Sequence, residues 1–301
     1  MTESSYHIPV LLQESVAGLA IVPNGVYVDL TFGGGGHSRE ILSRLGEKGK
    51  LIAFDQDQDA LLNTIVDSRF TLINENFRYL KRFLRFHGVK KVDGILADFG
   101  VSSHQFDEAD RGFSIRFDAK LDMRMNQQDE ISAFHVINEY DEHSLRKMFW
   151  EYGELRQAPA LARTIVEERK QGQIETTEQL KNVLKKYLPQ RKENKILAQI
   201  YQAIRIEVNQ EIEALKEFLT QVPELLNPGG RLSFISYHSL EDRLVKRFIR
   251  NGMFEGEPEK DVFGNFEVPL KRIGKLIIPT QEEIKNNNRA RSAKLRIAER
   301  I

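Results

Sequence analysis

Residues 26–38, Val-Tyr-Val-Asp-Leu-Thr-Phe-Gly-Gly-Gly-Gly-His-Ser, constrain this chain more than any other stretch. Val26, Tyr27 and Val28 have the β-branched and aromatic character of a short buried strand, Asp29 closes it, and four glycines follow. From Ser38 the apolar positions Ile41, Leu42 and Leu45 take up a helical period. A strand, a glycine turn and a helix in that order bring backbone close to a ligand, because glycine has no Cβ and accepts positive φ. Residues 51–54 repeat the theme as an apolar strand ending in Asp55, 19 positions beyond Gly36 (55 − 36). An acid about 20 positions after the glycines, at the tip of the next strand, accepts hydrogen bonds from both ribose hydroxyls of an adenosine ligand. The competing reading is a generic α/β turn whose glycines serve tight packing.

The spacing narrows the ligand. With Gly33 and Gly35 as the first two glycines of G-x-G-x-x-G, the third position falls on Ser38, which argues against a nicotinamide site. No G-K-[ST] follows, which argues against a phosphate-gripping loop. An acid, then glycines, then a second acid suits S-adenosylmethionine, which has no pyrophosphate to cradle and carries a charged amino group.

At 301 residues the chain is long enough for one large or two smaller domains. Lys+Arg and Asp+Glu balance at 44 each, so any nucleic-acid contact must come from local patches. The absence of cysteine excludes disulfides, thiol catalysis and cysteine-ligated zinc. The first residues lack a basic and apolar leader, and no apolar run approaches the roughly 18 residues of a membrane span. A soluble, cytoplasmic protein with no membrane partner is expected.

Along the chain, a helix is expected over 7–19 with Pro9 in its first turn, and a third strand over 70–73. Residues 77–86 form a helical pattern with Phe77, Leu80, Phe83 and Leu84 inward and Arg78, Lys81, Arg82 and Arg85 outward. That basic stripe is either a solvated face or a contact with RNA phosphates. A fourth strand, 92–97, ends at Asp98. Ligands of open α/β sheets lie beyond the carboxyl ends of the strands, where Asp29, Asp55 and Asp98 all fall. A structural network of paired acids is the alternative.

From 106 onward the pattern changes to helices over 131–138, 142–151, 158–171, 177–187 and 195–208, with no convincing strand. Strand character returns at 231–237, after a helix through Ile212, Leu215, Leu219 and Leu226 that stops at Asn-Pro-Gly-Gly, 227–230. The expected organisation is therefore a helical domain, 106–205, inserted into an α/β domain made of 1–105 and 206–301. Ser239 and Asp242 match a capping box for a helix over 240–249. His238 near Glu241 lacks a further ligand, so no metal site is expected. Ser102, Ser103 and His104 are too close in sequence to form a catalytic triad. The tail carries expected strands at 275–278 and 294–298. The basic, amide-rich 286–292 between them is either a phosphate-touching loop or a plain surface loop.

These motifs, in this order, resemble the bacterial 16S rRNA (cytosine-N(4)-)methyltransferase family, whose members act on cytosine 1402. The resemblance spans nearly the whole chain. It rests on His7-Ile-Pro-Val-Leu-Leu, Asp29-Leu-Thr-Phe-Gly with Gly35-Gly-His-Ser, Asp98-Phe-Gly-Val-Ser-Ser, Asp110-Arg-Gly-Phe-Ser and Leu121-Asp-Met-Arg-Met. It continues through Tyr201-Gln-Ala-Ile-Arg-Ile, His238-Ser-Leu-Glu-Asp-Arg and Arg289-Ala-Arg-Ser-Ala-Lys-Leu-Arg. It implies a class I S-adenosylmethionine-dependent methyltransferase sheet, Rossmann-like, with the helical substrate-recognition domain inserted after the fourth strand. The family's cofactor contacts fall here on Gly35, Gly36, His37, Asp55, Phe77, Asp98 and Gln105, and the implied partner is 16S rRNA within the small ribosomal subunit.

Two departures lie in the helical domain. Leu155 stands where the family has the second Glu of Tyr-Gly-Glu-Glu, and residues 195–198 replace a family His-Pro-Ala segment. For the chemistry, the expected acceptor of the amine protons is Asp98 or a backbone carbonyl just after it. Phe and Arg residues of 110–125 either hold an unstacked target base or, as for Phe113 and Met123, form plain core. The rival readings are a non-catalytic ribosome-assembly factor that binds S-adenosylmethionine and, more distantly, a nicotinamide oxidoreductase.

Overall fold

The computed structural model describes residues 9–259, 263 and 266–301, so His7 and the start of the expected first helix lie outside the described residues. By its contacts the chain divides into two compact units, one made of Met1–Gly100 with Ile212–Ile301 and the other of Val101–Glu211. These limits differ from the sequence boundaries at 105/106 and 205/206. Helix Glu193–Asn209 runs unbroken through the second expected boundary, and Gln210 ends it in a left-handed conformation. Among the described residues no helix is long and apolar enough to cross a membrane.

The first unit is built on seven strands: β1 (Val26–Asp29), β2 (Lys50–Phe54), β3 (Phe70–Ile73), β4 (Val92–Asp98), β5 (Leu226–Ser236), β6 (Leu270–Ile277) and β7 (Lys294–Arg300). Their spatial order is β3-β2-β1-β4-β5-β7-β6. The pairs among β1 to β5 are parallel, whereas β7 runs antiparallel to both β5 and β6. Parallel strands need cover on both faces, hence the unbroken apolar runs in β2 and β4. Alternation then sorts the side chains: Tyr27, Leu51 and Leu96 join Val16, Leu19 and Ile41 on one face. Val28, Ile52, Phe54, Ile95 and Ala97 join Phe218 and Phe234 on the other.

β5 begins earlier than the sequence suggested. Asn-Pro-Gly-Gly lies inside the strand, where the β4 register shifts between Val92↔Leu226 and Gly94↔Arg231. β6 likewise begins at Leu270 rather than 275. The expected first helix shrinks to Leu12–Gly18 because Leu11 ahead of it is left-handed.

Two of the four cations in the basic stripe of 77–86, Arg78 and Lys81, have a different role from either reading offered above, whereas Arg82 and Arg85 are exposed. A 3-10 turn, Phe77–Tyr79, precedes helix Leu80–Phe86. Arg78 donates two hydrogen bonds to Glu217, at 2.6 and 2.8 Å, and Lys81 pairs with Glu224. Gln221 adds bonds to the Lys81 N–H and the Arg78 carbonyl. All three partners sit on helix Glu211–Leu225, so half of the stripe joins two helices. Arg78→Gln is expected to lower stability by about 0.5–1 kcal/mol in urea unfolding, the range for a well-formed surface pair. It should leave the salt dependence of substrate binding unchanged.

The second unit contains helices Ala133–Glu139, Glu142–Glu151, Ala158–Glu168, Thr177–Val183 and Glu193–Asn209 around one apolar core. Phe113, Met123 and Leu155 are buried in that core. Phe113 and Met123 are therefore packing residues and not a base clamp, and Leu155 fits where an acid would be stranded. Arg111 is buried too, donating to the carbonyls of Arg124 and Met125. Asn209 accepts from the Met125 N–H and donates to the Met123 carbonyl, fixing the 110–125 segment from the far end of the unit's sequence.

Candidate functional site

The glycine turn is held from within by Asp29. Its Oδ1 accepts from the Thr31 N–H at 3.1 Å and its Oδ2 from the Ser38 hydroxyl at 2.7 Å, and the side chain is fully buried. Asp29 thus braces the turn rather than presenting itself to a ligand, and Ser38 is a partner that a third glycine could not replace. Gly33 and Gly35 take positive φ, 50° and 75°, as the tight turn requires. At Gly36 a Cβ would overlap the Pro9 ring, so the segment at Pro9 and Val10 lies directly on the start of helix Gly36–Arg44. His37 secures that segment, with Nε2 3.2 Å from the Val10 carbonyl. Burial pushes the His37 imidazole down to about 4, so it is neutral near pH 7.

Asp55, just beyond β2, meets the turn from the other side. Its Oδ2 accepts from the Gly33 N–H at 2.7 Å and its Oδ1 from the Asp57 N–H at 2.9 Å. A carboxylate offers about four acceptor sites, so capacity remains for two ligand hydroxyls. Asn74 donates to the Asp55 carbonyl at 2.9 Å. Asn76 donates to Gln56 at 2.7 Å and caps the turn that carries Phe77. The Phe77 ring packs against Phe99 and Phe218, with centroids 6.1 and 5.8 Å apart.

Asp98 ends β4, level with Ile235 of β5. Its N–H donates to Thr31 Oγ1 at 2.7 Å, tying the end of β4 to the turn two residues beyond β1. Its Oδ1 accepts from the Tyr237 hydroxyl, also at 2.7 Å. Gly100, two residues on, has φ +100° and turns the chain away beside the Tyr237 ring.

The electrostatics of these three carboxylates are one-sided. Burial raises Asp29 and Asp55 to about 6 and Asp98 to about 7, with Asp29 adding to the rise at the other two. Their partners are hydroxyls and backbone N–H groups; among the described residues none of the three has a cationic partner. One buried and two half-buried acids at adjoining strand ends, without a counter-charge, suit a ligand that brings its own positive charge. The open space beside Gly34, where a Cβ would meet no atom, leaves the turn accessible.

Six of the seven residues expected at the cofactor lie in this unit: Gly35, Gly36, His37, Asp55, Phe77 and Asp98. Gln105 belongs to the helical unit, where it completes a capping box with Ser102. Sequence reasoning missed Tyr237, although its position just beyond a strand was a signal. It also misplaced a cap: His238, not Ser239, caps helix Ser239–Asn251, and Asp242 is taken by Arg296 at 2.7 Å.

A parallel sheet ordered 3-2-1-4-5, completed by an antiparallel strand inserted before the last, defines a class I methyltransferase fold, with the acid-lined glycine turn at its usual edge. The sequence matches the MraW methylase family over residues 4–301, and the chain belongs to that family of S-adenosylmethionine-dependent methyltransferases. Three relatives bear the name ribosomal RNA small subunit methyltransferase H. The protein of Christiangramia forsetii is 72% identical over 296 residues, 98% of each chain. That of Flavobacterium johnsoniae is 70% identical over 300 residues, 100% of this chain and 99% of its own. That of Cytophaga hutchinsonii is 57% identical over 297 residues, 98% and 99%.

Proposed function

We propose that this chain methylates the exocyclic N4 of cytosine 1402 in 16S rRNA of the small ribosomal subunit, in the cytoplasm. The observation that carries the reading is the cluster of one buried and two half-buried carboxylates without a cation at the carboxyl ends of β1, β2 and β4. The relatives' names support rRNA of the small subunit as substrate, and the ordered motifs support the cytosine amine. Gly35, Gly36, His37, Asp55, Phe77 and Asp98 are the proposed donor-binding residues. Gln105 is included on the resemblance alone, and the helical unit is the proposed substrate-recognition part.

When bound, S-adenosylmethionine supplies an electrophilic methyl group whose bond to sulfur breaks, with its electron pair, as the new bond to nitrogen forms. The cytosine amine is a poor nucleophile because its lone pair is delocalised into the ring. An acceptor on its N–H favours the pyramidal form and stabilises the positive charge that develops. Asp98 is that acceptor: Tyr237 occupies Oδ1, which leaves Oδ2 for the amine. A carboxyl raised towards neutrality is suited to receiving the proton that N4 must lose.

A cationic donor favours the ionised acids. Its binding near pH 6.5 should therefore release protons, and the heat of binding should change with the ionisation enthalpy of the buffer. Equal heats in phosphate and imidazole buffers would contradict the assignment. The reaction itself is tested by incubating the protein with methyl-labelled S-adenosylmethionine and small subunits. Label should enter the RNA; an assembly factor that only binds the donor would leave the RNA unlabelled.

A further inference from the structure

A concavity of about 280 Å³ lies between helix Ser239–Asn251 and β6, away from the carboxylate cluster. Its lining includes the apolar side chains of Ile249, Ile273 and Ile297, with Lys246, Arg250, Arg272 and Lys275 around them. We propose that this groove docks a single-stranded segment of the rRNA substrate, an inference that rests on the function proposed above.

The two pairs of cations reach the groove by different routes. Lys246 and Arg250 stand four apart on one helix and so share a face. Arg272 and Lys275 are three apart on a strand, a spacing that in regular pleat sends side chains to opposite faces. β6 is irregular here. Its register passes from Ile273↔Ile297 to Ile277↔Leu295, four residues against two, through Gly274 at φ +64°. Such a bulge re-aims side chains, and both Arg272 and Lys275 line the groove.

None of these four cations has an acidic partner among the described residues. Arg250 and Arg272 bond only to Asn251 and the Gly274 carbonyl, whereas nearby Arg296 is neutralised by Asp242. Unneutralised cations around an apolar floor complement a polyanion with flat apolar units, which describes unpaired RNA. Lysines on an edge strand also guard against strand addition. That role accounts for neither the helix pair nor the inward-turned bulge.

The groove runs along β6 from Val268 and Leu270, at the strand's amino end, to Lys275 and Leu276, next to its carboxyl end. β6 and β5 both run antiparallel to β7, so their carboxyl ends coincide. Asp98 is level with Ile235, Ile235 with Leu295, and Leu295 with Ile277. Three strand spacings, about 14 Å, separate the end of β6 from Asp98. RNA entering the site can therefore pass along this edge to the Lys275 end of the groove and continue down it.

The test combines Lys246→Gln, Arg250→Gln, Arg272→Gln and Lys275→Gln and measures binding to purified small subunits across a salt series. Each lost single-strand phosphate contact removes about 0.7 from the slope of log K against log salt, so a slope shallower by about 3 is expected. S-adenosylmethionine affinity should match wild type, which also reports that the variant is folded. The milder Lys246→Gln, Lys275→Gln pair should give about half the change. An unchanged slope in a variant that binds donor overturns the proposal, as does self-association of the variant with an unchanged slope, the mark of an edge guard. If wild-type protein binds subunits but labels no RNA, the functional reading has failed instead, whatever the groove variants do.

Discussion

Asp98→Asn is expected to lower turnover on small ribosomal subunits by about 100-fold or more, while substrate affinity changes little. The substitution is nearly isosteric and keeps an oxygen for the Tyr237 hydroxyl. It replaces an acid raised to about 7 with an amide that cannot take a proton. The loss should therefore appear in the transition state, where the amine nitrogen gains positive charge, more than in the ground state. Some weakening of donor binding is also expected, so the rate must be read at saturating donor. A wild-type rate under those conditions would reduce Asp98 to a binding residue.

Asp55→Ala should weaken S-adenosylmethionine binding by about 1.5–3 kcal/mol, roughly 10- to 150-fold, the cost of losing hydrogen bonds to a charged acceptor. The same carboxylate also holds the Gly33 and Asp57 N–H groups, so part of the effect comes from a loosened glycine turn. Asp55→Asn separates the contributions, since its one remaining oxygen keeps two lone pairs, enough for one backbone N–H and one ribose hydroxyl, and so should lose less affinity than Asp55→Ala. Calorimetry showing unchanged donor affinity in folded Asp55→Ala protein would remove Asp55 from the site.

The parts of the fold legible in sequence were those whose causes are local. Parallel strands buried on both faces carry apolar runs, so β1, β2 and β4 stood out, each ending in or just before an Asp. Glycines at positive φ mark a turn wherever they cluster. What escaped notice depended on partners far away in the chain. Arg78 and Glu217 are 139 residues apart, as are Asp98 and Tyr237, and no spacing rule connects them. The contact of Pro9 with Gly36 is a matter of packing in space, although both residues were singled out. Asp29 shows the limit most clearly. Its place at a strand end was readable, but only its bonds to Thr31 and Ser38 reveal that it faces inward.

The central claim is that the methyl group arrives on the exocyclic amine of one cytosine. Small subunits from cells lacking this activity, incubated with the protein and deuteromethyl-labelled S-adenosylmethionine, can be digested and sequenced by nucleoside and oligonucleotide mass spectrometry. The account predicts one labelled N4-methylcytidine, at position 1402 of 16S rRNA, and its absence with Asp98→Asn protein. Label on a ring carbon, on a ribose or on a different base would contradict it.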